Sequence, residues 1–259
     1  MRTVLAALDA SAAARPVLET ALGLGRLTGA HVEAVHVGDG SVETPATLAA
    51  RCDVPYRLLD GPVEPALLDA VDDPAVIAAV LGARGTPAGR RPAGRTALHV
   101  MERADKPVVV VPPNVAARGP WTFHRLLVPL EGSEQSSRPV AEGLSPLINA
   151  EIEVIVLHVF TAETMPRILD RPLRDLELWG DEFLARYGPS GAHIECRTGQ
   201  VGDQVAQVCR DELVDLVVLS WSRDASAGHA AVITEVLSRS TVPVLLLPVL
   251  PPATTPPRR

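Results

Sequence analysis

The chain has 259 residues, room for one large or two ordinary domains, and 47% of them are hydrophobic while only 3% are aromatic, so a core must be built from Ala, Val and Leu. The formal net charge of -7 argues against a general nucleic-acid or anionic-membrane surface. Lys106 is the sole lysine and no Gly-Lys-Ser/Thr occurs, which excludes a Walker-type P-loop and any mechanism that needs a pocket lysine elsewhere.

Three scattered cysteines, Cys52, Cys196 and Cys209, read as reduced thiols of a cytoplasmic protein. The start, MRTVLAALDASAAA, resembles a secretory leader, but its apolar run from Thr3 to Leu8 is too short and Asp9 ends it. It is expected to be a first strand. No apolar run approaches the ~20 residues of a membrane span.

Val4 to Leu8 is that strand, closed by Asp9, with Ser11 as N-cap of a helix from Ala12 to Thr28 that Gly29 stops. His31 to Val37 is a second strand. Gly38 to Ala50 reads as loop with little helix, and Tyr56 to Leu59 as a short third strand. Asp60-Gly61-Pro62 turns into a helix over Val63 to Val71. Ala75 to Leu81 is a buried strand. It feeds the loop GARGTPAGRRPAGRT, Gly82 to Thr96, which holds four glycines and four arginines. Glycine lets a backbone turn sharply and approach a ligand, and a loop that feeds a helix start presents free N–H groups suited to phosphate. A solvated surface loop is the plain alternative, and Arg90 and Arg91 then form an ordinary charge run. A helix over Ala97 to Arg103 and the strand Pro107 to Val111, ended by Pro112 and Pro113, complete the unit.

After a linker, 114–122, with Trp121 as a packing residue between the halves, the pattern begins again. Arg125 to Leu130 matches the first strand and Glu131-Gly132-Ser133 matches Asp9-Ala10-Ser11. His158-Val159 matches His36-Val37, both at an offset of 122. Thr198-Gly199 matches Asp60-Gly61 at 138, and Pro243 to Leu247 matches Pro107 to Val111 at 136. The second copy is longer between its second and third strands, where Leu173 to Tyr187 forms an amphipathic helix that the first copy is expected to lack. The end, 249–259, reads as a disordered tail. Strands alternating with helices imply parallel sheets with helices on both faces, with ligands beyond the carboxyl ends of the strands where strand order reverses. If the first strand lies between the second and fourth, Asp9, Val37 and Gly82 converge on one crevice. The apolar fifth strands, Val108–Val111 and Leu245–Leu247, would then be sheet edges in need of cover, and each is expected to pair antiparallel with the other.

These features together resemble a tandem universal stress protein: Asp then Ser after strand one, His-Val ending strand two, Gly-Pro before the third helix, the glycine loop, and the closing Pro-Val-Val-Val-Val. The resemblance implies two α/β domains, 1–113 and 123–248, each a doubly wound, mostly parallel five-stranded sheet in order 3-2-1-4-5. It also implies a site for an adenine nucleotide. Asp9 and the Val37 backbone would meet adenine, and Gly82, Gly85, Gly94 with Arg95 or Thr96 would hold the phosphates of ATP, with Mg2+ alongside; AMP or ADP are the alternatives. The family's Gly-x2-Gly-x9-Gly-Ser/Thr is imperfect here, since Gly94 follows Gly85 after eight residues and Arg95 stands where Ser or Thr is usual. The second copy departs further. Glu131 replaces Asp9, Ser220 and Arg223 replace two glycines, and Ala230-Ala231 replace Gly-Ser, with only Gly228 kept and Trp221 filling vacated space; its site should be empty. His36 and His158 read as satisfied structural histidines, and His193, Cys196 and Cys209 do not suit a metal because a strand sends the first two to opposite faces. Ser11 and Ser133 have no His and acid partners for nucleophilic catalysis. The resulting expectation is a non-enzymatic, ATP-binding stress-response or regulatory protein that can associate with itself or an unknown protein. The rivals are a ligand-free interaction protein on the same fold and an adenylyl-transfer enzyme.

Overall fold

The structure, a computed structural model, describes residues 1–11, 13–38, 43–83, 93–113, 115, 122–145, 151–160, 173–222 and 228–249. The first half runs β1 (Thr3–Ala7), α1 (Ala14–Thr28), β2 (His31–Val37), α2 (Glu43–Arg51), β3 (Tyr56–Leu59), α3 (Val63–Asp72), β4 (Val76–Gly82), α4 (Arg95–Arg103) and β5 (Val108–Val111). The second runs β6 (Arg125–Pro129), α5 (Glu134–Leu144), β7 (Glu153–Phe160), α6 (Leu173–Tyr187), β8 (His193–Thr198), α7 (Val201–Asp211), β9 (Leu216–Trp221), α8 (Gly228–Arg239) and β10 (Val244–Pro248).

The ten strands form one sheet in the order β3-β2-β1-β4-β5-β10-β9-β6-β7-β8. Each half therefore has the order 3-2-1-4-5, with parallel pairing inside it. The halves meet where β5 and β10 pair antiparallel, with Val108 opposite Leu246, Val109 opposite Leu245 and Val110 opposite Val244. This is the expected cover for two apolar edges that carry no charge of their own. Every residue of β5 is buried, which a strand with helices on both faces requires.

Alternation along the strands divides the interior into two layers. Leu5, Val108, Val110, Val244 and Leu246 face α3, α4, α7 and α8, whereas Val4, Ala6, Val109, Leu245 and Leu247 face α1, α2, α5 and α6. Each layer runs across the boundary between the halves. The repeat also survives in backbone conformation: Gly61 and Gly199, matched by sequence, both turn with positive φ, 101° and 122°.

Two expectations are corrected. Residues 43–51 form α2, so the first half does have a helix between its second and third strands, the counterpart of α6. Pro45 sits in its first turn, where a missing N–H costs nothing, and Ala49 gives it a small buried face too weak to read as periodicity. Ser11 is not the N-cap of α1, which is Ala13 and has no side-chain cap; instead the Ser11 hydroxyl accepts the Ala13 N–H at 3.2 Å. The tail 250–259 and Trp121 lie outside the described residues.

Candidate functional site

A cavity of about 330 Å³ opens at the carboxyl ends of β1, β2 and β4, on the face covered by α3 and α4. Asp9, Val37, Gly82, Gly94, Arg95 and Thr96 all line it. The parallel order brings these distant segments together, because β1 lies between β2 and β4 and all three chains leave the sheet at the same edge. Gly85, with Arg84, Gly89, Arg90 and Arg91, lies outside the described residues.

Asp9 organises the turn after β1. Its Oδ1 accepts the Ser11 N–H at 2.8 Å and also the Ser11 hydroxyl. On the other side, α4 begins earlier than its periodicity suggests, so Arg95 and Thr96 belong to its first turn. Gly94, at φ -64° and ψ 164°, is an N-cap with no side-chain hydrogen bond, and no acidic residue occupies the first turn. Helix N–H groups in that turn have no partner within the helix, and their aligned dipoles favour negative charge. The Arg95 Nε lies 2.7 Å from Glu64 Oε1. Glu64, at the start of α3, has its carboxyl held below the usual range, first by its own backbone N–H and then by Arg95.

The wall between these poles is apolar. Val35, Leu67, Leu81 and Ala97 are buried along it, and Val63 stands 43% exposed at its rim. This wall is hard to see in the sequence, since Val63 and Leu67 at i and i+4 look like any core-facing helix stripe; its one usable signal is an apolar residue at the first helical position after Gly61-Pro62. The residues present therefore suit a flat apolar group with an anionic extension: an apolar slot, a carboxylate beside it and an open helix start opposite.

His36 also borders the cavity. Its Nδ1 is 2.8 Å from the Leu8 carbonyl, which can only accept, so Nδ1 carries a proton and donates it to that bond. His158 makes the same bond to Leu130 at 2.9 Å, and burial lowers its pKa. Both are satisfied structural histidines.

The second half keeps the scaffold and changes its contents. Glu131 accepts the Ser133 hydroxyl at 2.7 Å, preserving the acid–serine contact of Asp9 and Ser11. Around His158, the rings of Phe160, Trp179 and Phe183 pack with centroids 4.7 to 5.1 Å from it. Phe183 also lies against Gly132, where a Cβ would come within 2.8 Å of its Cε2. Trp221 does not fill a vacated site. It is the last residue of β9, 5% exposed, and its Nε1 donates to the Met101 carbonyl of α4 at 2.8 Å. Ser220 lies beside it in β9, half-buried; Arg223 lies outside the described residues. A cavity of about 370 Å³ in this half lies further out, between Phe160, Leu176, Cys196, Arg197, Thr198 and Gln204. Among the described residues no group of three or more His, Cys, Asp or Glu could hold a metal.

A larger cavity, about 530 Å³, opens at the opposite edge of the first half, near Arg26, Gly29, Cys52 and Asp53. It sits at the C-terminal ends of α1 and α2, where helix dipoles are negative, and so is the poorer place for an anion.

The chain thus has a tandem doubly wound α/β fold with a cavity at the reversal of strand order in its first half. The model of the universal stress protein family matches residues 122–248. A functionally unknown protein from Pseudomonas aeruginosa is similar over 96% of this chain and 93% of its own, at 12% identity and TM-score 0.67. A universal stress protein from Archaeoglobus fulgidus is similar over 95% of this chain and 96% of its own, at 16% identity and TM-score 0.60. At such identities these likenesses show the fold. No curated protein matches the chain by sequence. The second half, residues 122–248, thus matches the universal stress protein family, and the whole chain shares the tandem fold of these structures. No described helix is long and apolar enough to cross a membrane.

Proposed function

We propose that the chain binds one adenine nucleotide, ATP in the first instance, in the cavity of its first half, and serves as a non-enzymatic stress-response or regulatory protein of the cytoplasm. The observation that carries the reading is the convergence of Asp9, Val37, Gly82, Gly94, Arg95 and Thr96 on one cavity. Asp9 and the Val37 backbone would meet the base, with Val35 and Leu67 along its faces. The first turn of α4 would face the phosphates, joined by Gly85, and Mg2+ would neutralise charge there. Residues 1–113 and 123–248 would be two domains joined by 114–122, with the second lacking a nucleotide.

Calorimetric titration with ATP, ADP and AMP, alongside mass spectrometry of what co-purifies, tests this. Binding at about one nucleotide per chain is expected, because phosphate needs close backbone approach and the second half's loop sequence lacks three of the glycine positions. Gly85→Glu should abolish it by adding a carboxylate beside the phosphates; unchanged affinity would remove the assignment. The second reading is a ligand-free interaction protein. The Arg95–Glu64 ion pair favours it, since that arginine already has a partner. The absence of any nucleotide binding by the intact chain would select it.

A further inference from the structure

We propose that Trp221 of the second half is a positioning residue for the cavity of the first half, acting through α4. Three observations carry this. The Trp221 indole N–H donates to the Met101 carbonyl at 2.8 Å, across the boundary between the halves. Met101 lies in the last turn of α4, where carbonyls have no partner within the helix, so the bond satisfies a group that would otherwise be orphaned. The first turn of the same helix, Arg95 to Ala97, lines the cavity.

A helix of nine residues is a stiff rod, and Arg95 and Met101 lie roughly 9 Å apart along its axis at 1.5 Å per residue. Fixing one end constrains the direction in which the other points its N–H groups. The ring of Trp221 strengthens the tie, because it is buried in one cluster with Ala97, Val100, Met101 and Ala104. Trp221 occupies the position matched by Ala83 in the first half, at the same offset of 138 that relates Gly61 to Gly199. The first-half residue is too small to make a reciprocal bond. The tie is therefore one-way: the half whose loop lost its glycines braces the helix start of the half that kept them.

The test uses the full chain and Trp221→Phe, which keeps most of the buried ring and removes the donor. Hydrogen exchange without nucleotide is the primary readout. Amides of residues 98–103 should exchange roughly three- to ten-fold faster in the variant, the range set by loss of one buried hydrogen bond. Amides of β2 should be unchanged. Unchanged α4 exchange, or the same acceleration in β2 as in α4, would overturn the proposal, because the first denies the tie and the second makes it general stability. The binding arm rests on the nucleotide reading: ATP affinity should weaken by a similar factor, and equal affinity alongside faster α4 exchange would overturn the claim that the tie positions the cavity. If the unaltered chain binds no ATP, the nucleotide reading fails, and the exchange arm alone decides the tie. Should the variant not fold, exchange of the Trp221 indole proton in the unaltered chain is followed by NMR with and without ATP. Slower exchange with ATP supports the coupling and an unchanged rate overturns it.

Discussion

The sequence reads Gly82 as a glycine whose backbone approaches phosphate; its Cβ direction turns toward α1, so Gly82→Ala tests whether the backbone alone is needed there. Along β4, Leu81 faces the α3–α4 layer, so the next residue faces α1. A Cβ built at Gly82 meets Val17 Cγ2 at 3.5 Å and Ala13 Cβ at 3.6 Å, both ordinary contacts on α1. Its φ is not among the positive ones, so alanine fits without strain. Glycine in a strand interior costs about 0.5–1 kcal/mol relative to alanine. With the methyl in ordinary contact with Val17 and Ala13 and Gly82 at the end of β4, the substitution should stabilise the fold by up to about 1 kcal/mol. For a unit of 150–250 residues that raises the melting midpoint by about 2–4 °C. ATP affinity should stay within about two-fold, since the methyl points away from the cavity while the backbone keeps its place. Differential scanning calorimetry and an ATP titration on the same preparation read both quantities. A lowered midpoint would refute the packing argument, and a large loss of affinity at an unchanged midpoint would restore Gly82 as a ligand-approach position.

The cysteines offer a second check: burial pushes Cys196 up to about 11 and Cys209 up to about 12, so at neutral pH only exposed Cys52 should react quickly with a disulfide reagent. Two fast thiols in the native chain would contradict the burial of β8 or α7. His158 gives a pH dependence. Its folded pKa lies below the ordinary 6.5, so between the two values the unfolded chain holds a proton the native one lacks. Stability is whole above the ordinary value and falls as pH drops through that window, and His158→Gln should flatten the fall of the melting midpoint below about pH 6.5; an unaltered slope would refute it. Finally, paired cysteines at Val109 and Leu245, or at Val110 and Val244, in a background without native cysteines, should oxidise within one chain. Neighbouring antiparallel pairs alternate in separation, so one of the two suits a disulfide; crosslinks only between chains would disprove the internal pairing.

The sheet was legible because its signals are local. Val108–Val111 and Leu245–Leu247 are unbroken apolar runs, and Pro112 and Asp9 mark where strands stop. The order of strands was not in the periodicity and came through the resemblance, which also gathered the cavity residues. What stayed hidden depended on partners far along the chain. The weak face of α2 became helix because Ala49 and Pro45 could bury against the layer beneath, a tertiary effect that outweighs its poor pattern. Likewise, nothing around Trp221 announces Met101, because a single indole donor finds its acceptor only after the two halves join in one sheet.

The two halves show which parts of the repeat belong to the fold and which to the site. The histidine–carbonyl bond, the acid–serine contact and the left-handed glycine recur in both, at His36 and His158, Asp9 and Glu131, Gly61 and Gly199. Since the second half keeps them while losing the glycines of its loop, they are explained by the needs of the scaffold alone: they fix the turn after the first strand and the end of the third. The bond from the Ser11 hydroxyl to Asp9, which Ser133 and Glu131 reproduce, therefore belongs to the scaffold, whereas the bond from the Ser11 N–H is shown for Asp9. To these shared contacts the first half adds an apolar wall, Leu67 and Val63, that shares a cavity with the side-chain-free cap at Gly94. The second half instead gathers aromatic rings around His158 and sends Trp221 to its neighbour. Duplication thus left one scaffold in two uses: one half holds its helix start open, and the other supplies contacts that hold it in place.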